Sequence, residues 1–80
     1  MQAVGKLSAP ETEKHVRGRS VTVIDLSLHG VGFHSPVALV VGNLYGLQMT
    51  SDWMNLSSRM RVVACKENEK GEWEIGAEFA

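Results

Sequence analysis

The sequence predicts an all-β domain, a small antiparallel barrel of about six strands. Three observations predict it. Apolar and polar residues alternate with a period of two in several short runs, which is the pattern of strands that bury one face. No stretch holds a helical period over two turns with caps at both ends. Gly, Pro, Asn, Asp and Ser collect at the breaks between runs, where turns need them. Closing such a sheet on itself buries every strand's apolar face and removes exposed edges.

Taken in order, Met1 to Ser8 is compatible with a short first strand. Ala9 to Lys14 is polar and contains Pro10, so residues 9–14 read as a mobile loop. His15 to Leu26 reads as the second strand and Val31 to His34 as the third, ended by Ser35-Pro36. Val37 to Val41 is too short for a helix and reads as an extended loop closed by Gly42-Asn43. Leu44 to Thr50 alternates, with Tyr45, Leu47 and Met49 on one face. Ser51 to Ser57 reads as a loop, Ser58 to Glu67 as a long strand, and Asn68 to Gly71 as the turn into the last strand. Glu72 to Phe79 has the cleanest pattern: Trp73, Ile75, Ala77 and Phe79 face one way, Glu72, Glu74 and Glu78 the other.

Eighty residues make a single domain, 1–80, with no internal repeat or low-complexity tract. A formal net charge of −1 argues against broad affinity for a nucleic acid polymer. No apolar run is long enough to span a bilayer, and the opening residues lack a secretory signal's basic start and apolar block, so membrane insertion is not expected and the cytoplasm is. Cys65 is the only cysteine and cannot form an internal disulfide; in Val62-Val63-Ala64-Cys65 it reads as a small buried thiol. His15, His29, His34 and Cys65 fit no common zinc spacing, so no metal and no metal cofactor is expected. Without a paired acid and base or a phosphate loop, the chain does not read as an enzyme.

The informative stretch is Val21 to Phe33, a strand, a tight corner and a second strand. Asp25 and Ser27 can bond nearby backbone at the corner. Gly30 and Gly32 suit a positive φ or the close approach of another backbone or a ligand. A carboxylate is an acceptor, and a hydroxyl can donate or accept beside it.

Asp25-Leu26-Ser27-Leu28-His29-Gly30 resembles the Asp/Asn-x-Ser-x-x-Gly motif of PilZ domains, small β-barrels that receive the bacterial second messenger cyclic di-GMP. Gly30-Val31-Gly32-Phe33, Ser35-Pro36, Gly42 and Ile75-Gly76-Ala77-Glu78-Phe79 resemble the same family, so the likeness runs from about Arg19 to the end. The resemblance implies a non-catalytic signalling receptor or adaptor with cyclic di-GMP as ligand, contacted by Asp25 and Ser27, with Gly30 letting the backbone come close.

The family also carries an Arg-x-x-x-Arg segment ahead of its first strand, whose guanidinium groups bond guanine and phosphate. This sequence shows no such segment. Three accounts stay open: the arginines lie upstream in a longer polypeptide, the domain is divergent and no longer binds the nucleotide, or Arg17 and Arg19 stand in from the second strand. The last is the least favoured, since both share one strand parity and read as solvated charges. The alternative to a nucleotide receptor is a degenerate barrel acting through a protein partner or self-association. Its candidate contacts are Trp53, Met54 and Leu56, which otherwise plug a barrel end.

Overall fold

Each alternating run forms a strand, and the strands close on themselves. The computed structural model describes residues 3–52 and 54–80. The strands are β1 (Ala3–Ser8), β2 (Ser20–Leu26), β3 (Gly30–Ser35), β4 (Leu44–Ser51), β5 (Met54–Glu67) and β6 (Trp73–Phe79). Their order around the closed barrel is β1-β2-β3-β6-β5-β4, and every neighbouring pair is antiparallel. The all-β, six-stranded antiparallel barrel read from the sequence is the fold.

Period-two alternation puts Val21 and Val23 of β2, Val31 and Phe33 of β3, Tyr45, Leu47 and Met49 of β4, Met60 and Val62 of β5 and Ile75 and Ala77 of β6 inside. Phe33 is wholly buried. Truncating such a side chain to Ala costs about 3–5 kcal/mol, a large part of the roughly 4–12 kcal/mol that holds a domain of this length together. Ser35, the one buried polar residue among those described, is satisfied locally: its hydroxyl donates to the Val37 carbonyl at 2.7 Å and accepts from the Val37 N–H at 3.2 Å.

Two segments differ from the sequence reading. His15 to Arg19 is not strand: Glu11–Glu13 is a 3-10 turn, the chain continues in turns, and β2 starts only at Ser20. Gly18 has φ +75, outside the strand region, and Val16 leaves the strand pattern to be fully buried at the barrel end beside Leu39. Ser51 and Met54 to Ser57, read as loop, are strand. Ser51 pairs with Met54 across a tight hairpin, so β5 begins four residues earlier than Ser58. The Val37–Val41 connection is irregular, as its length requires, and Leu39 tucks inside from it. Asn68 organises the last hairpin by accepting the Lys70 and Glu72 N–H groups on its side-chain oxygen.

Candidate functional site

The motif lies at one end of the barrel, where β2 turns into β3. Strict alternation from Val21 and Val23 would point residue 25 into the core. It does not, because the register slips between Val23 and Asp25: Val23 faces Phe33, Asp25 faces Gly32, and Ile24 is the extra residue of a β-bulge. The bulge reverses parity, so Asp25 is exposed while Leu26 turns back against the core.

A second bulge stands on β5. Val62 faces Ala77, Ala64 faces Gly76, and Val63 is the extra residue. Gly32 and Gly76 are themselves partners across β3 and β6. One outward row therefore runs Asp25, Gly32, Gly76, Ala64 over four strands, with a bulge beside each end. Its two central positions have no side chain, its far end has a methyl group, and the exposed Val63 side chain stands beside Gly76 as one wall. The result is a shallow strip with the Asp25 carboxylate at one edge, crossing three strand spacings, roughly 14 Å.

The neighbouring rows form its borders. Thr22, His34, Glu74 and Lys66 line one side, with His34 Nε2 3.8 Å from Glu74 Oε2. Beyond them a hollow of about 820 Å³ opens over the β5–β6 hairpin. On the other side the row is Ser27, Gly30, Glu78 and Arg61. Glu78 and Arg61 are direct partners, yet among the described residues Arg61 forms no ion pair.

Ser27 is exposed, and its hydroxyl serves the corner. Its backbone N–H donates to the Gly30 carbonyl at 2.9 Å, and its Oγ accepts the Gly30 N–H at 3.2 Å and donates to the Gly30 carbonyl at 3.3 Å. Gly30 does not use the left-handed region. A Cβ there would lie 2.5 Å from the Ala77 carbonyl oxygen, so the close approach this glycine permits is to β6 of the same barrel. Gly32 is different, since a Cβ would meet only the Asp25 Cβ at 3.6 Å and the Ile75 carbonyl at 3.9 Å. Nothing in the fold forbids a side chain there.

A PilZ domain family model matches residues 2–80. The chain belongs to the PilZ domain family. Among curated proteins none matches it.

Within this PilZ barrel Asp25, Ser27 and Gly30 converge on one corner. Arg17 and Arg19 do not join them. Arg17 Nη1 pairs with Glu11 Oε1 at 2.9 Å, Arg19 Nε donates to the His15 carbonyl, and both sit at the other end of β2 from Asp25, roughly 20 Å of extended chain away. The cation that shares the motif's row is Arg61, which the sequence reading passed over. A cross-strand partner leaves no local sequence signal, because it comes from barrel register.

Trp53 lies outside the described residues, as does the side chain of Met54. Leu56 is half-buried and packs against the core. Cys65 is half-buried, also against the core. Among the described residues no helix is long and apolar enough to cross a membrane.

Proposed function

We propose that this PilZ domain is a cyclic di-GMP receptor or adaptor module of a bacterial signalling system. It takes a guanine on the strip formed by Gly32, Gly76 and Ala64. The observation that carries this reading is the row Asp25, Gly32, Gly76, Ala64: a carboxylate acceptor placed by a bulge at the edge of a surface bare enough for a flat bicyclic base. Asp25 accepts from the guanine N1–H and N2–H edge. Ser27 holds the corner and presents its oxygen beside the carboxylate. Arg61, exposed and two strand spacings from Gly30, about 10 Å, offers a guanidinium to phosphate, the geometry in which arginine is strongest. The module carries a ligand and performs no chemistry on it.

The test is a titration of cyclic di-GMP into isotopically labelled protein, followed by amide shifts. Shifts confined to Asp25–Gly32, Gly76, Ala64 and Arg61 are the expected result. An unchanged spectrum at millimolar ligand removes the reading.

A second reading, association with a protein partner through a barrel that binds no nucleotide, is favoured by Leu28. This side chain is 86% exposed at the tip of the motif corner, so a partner seated on that corner would bury it. Changing Leu28 to Ser separates the two, since a partner contact is lost while a nucleotide site built on Asp25 persists.

A further inference from the structure

The barrel carries a second concave face, away from the motif. On the outward side of β1, β4 and the first half of β5, the positions pair in rows: Lys6 with Gln48 and Ser57, then Ser8 with Gly46 and Arg59. A hollow of about 670 Å³ opens over these rows, and a second of about 350 Å³ shares Ser8, Gly46 and Arg59 with it. Gly46 forms the floor. A Cβ at that position would run into the Ser8 hydroxyl, so the centre of the face stays low while longer side chains rise around it.

Carboxylates are absent from this face. The chain has nine carboxylate side chains, yet none stands at an outward position of β1, β4 or the first half of β5, which carry Lys6 and Arg59. No acidic side chain lines either hollow. Among the described residues neither Lys6 nor Arg59 forms an ion pair. The groups beside them, Ser8, Gln48 and Ser57, can all donate hydrogen bonds. The strands beneath are paired on both sides, so an added strand has no edge to join.

From these features we infer that this face is a binding site for a small phosphate-bearing ligand, held between the Lys6 ammonium and the Arg59 guanidinium over Gly46. Each hollow has the size of a small-molecule site. Two unpartnered cations on opposite rims, with hydroxyl and amide donors between them, match a phosphoester's several anionic oxygens better than a neutral ligand. The site shares no residue with the motif or with the row Asp25, Gly32, Gly76, Ala64, and draws on the first half of β5 where that row meets the second.

The experiment is a titration of inorganic pyrophosphate into labelled protein, with sulfate at equal ionic strength as control. Saturable shifts at Lys6–Ser8, Gly46–Gln48 and Ser57–Arg59 are expected, with weaker binding of sulfate. Arg59→Gln and, separately, Lys6→Gln each weaken pyrophosphate binding by about tenfold or more while leaving the rest of the spectrum in place. Asp25→Asn leaves it unchanged. Shifts spread equally over Lys14, Lys66 and Lys70, sulfate binding as tight as pyrophosphate, or an Arg59→Gln protein that binds like the parent would each overturn the proposal. So would tighter binding of a polyglutamate peptide, which would make the face a dock for an acidic protein segment.

Discussion

Tyr45 Oη donates a 2.5 Å hydrogen bond to Glu13 Oε1, joining the 3-10 turn between β1 and β2 to the inside of β4. The same phenol oxygen accepts the Val40 N–H at 3.0 Å, and Asn43 Nδ2 donates to the other Glu13 oxygen at 3.3 Å. One carboxylate thus ties two connections together over the barrel end that Val16 and Leu39 fill. The polar groups at this end are satisfied by one another.

Replacing Tyr45 with Phe keeps the ring in the core and removes the oxygen. The Val40 N–H and a Glu13 oxygen then lose their partner, and the expected loss is about 1–3 kcal/mol, read as a lower urea midpoint with an unchanged slope. An unaltered midpoint would show that solvent replaces the oxygen at no cost.

The same bond sets a pH dependence. Burial, then the hydrogen bond and the charge of Glu13, hold the Tyr45 phenol above its usual range. Its folded pKa exceeds its unfolded value, so above about pH 10 the unfolded chain releases this proton while the folded chain keeps it. The Tyr45 contribution is therefore complete below that pH and is lost as pH rises through the folded pKa. Unfolding measured from pH 8 to 11 shows a falling alkaline limb, and Tyr45→Phe makes it shallower. An identical limb in both proteins would assign the loss to other groups.

Two glycines of the motif region answer differently to alanine. Gly30→Ala sets a methyl 2.5 Å from the Ala77 carbonyl oxygen, and overpacking against backbone costs about 1–3 kcal/mol. Gly32→Ala meets nothing closer than 3.6 Å and folds normally, but its methyl stands on the strip that receives the base. Thermal unfolding should separate Gly30→Ala from the parent, whereas cyclic di-GMP titration should separate Gly32→Ala. Full binding by a folded Gly32→Ala protein would move the base off the strip.

Asp25→Asn and Arg61→Gln act on opposite sides of that ligand. Both residues are exposed and neither supports the core, so stability changes by no more than about 0.5 kcal/mol. Each loses a charge-assisted bond worth about 1.5–3 kcal/mol, or roughly tenfold to a hundredfold in affinity. Arg17→Gln, whose side chain is paired with Glu11 at the far end of β2, serves as the control and binds like the parent. Equal losses from Arg17→Gln and Arg61→Gln would remove Arg61 from the site.

The strands were legible where alternation is strict. In β4 and β6 the buried residues are those the period of two selects, because neither strand carries an extra residue of its own. Alternation misled at Val16, where a valine beside two arginines resembles a strand start but belongs to a turn that plugs the barrel. It was silent at Ser51 to Ser57, where polar residues on an outward face resemble a loop. The outward aim of Asp25 had a faint trace, since the inward apolar residues step from Val23 to Leu26 by three instead of two. Val62 and Cys65 repeat that step on β5. Gly76, Ala64 and Arg61 were not legible as site residues, for their nearness to Asp25 and Ser27 arises only when distant strands align.

The bulge at Ile24 makes the position of the motif carboxylate a matter of counting. Any substitution at Ile24 that keeps a residue in place leaves Asp25 in water, whatever its chemistry. Deleting that residue would make Val23 and Asp25 successive positions of a regular strand, still opposite Phe33 and Gly32, so the carboxylate would stay outside. A single-codon deletion there should therefore be tolerated about as well as a substitution, because the register on either side of the bulge already matches that of an unbulged strand.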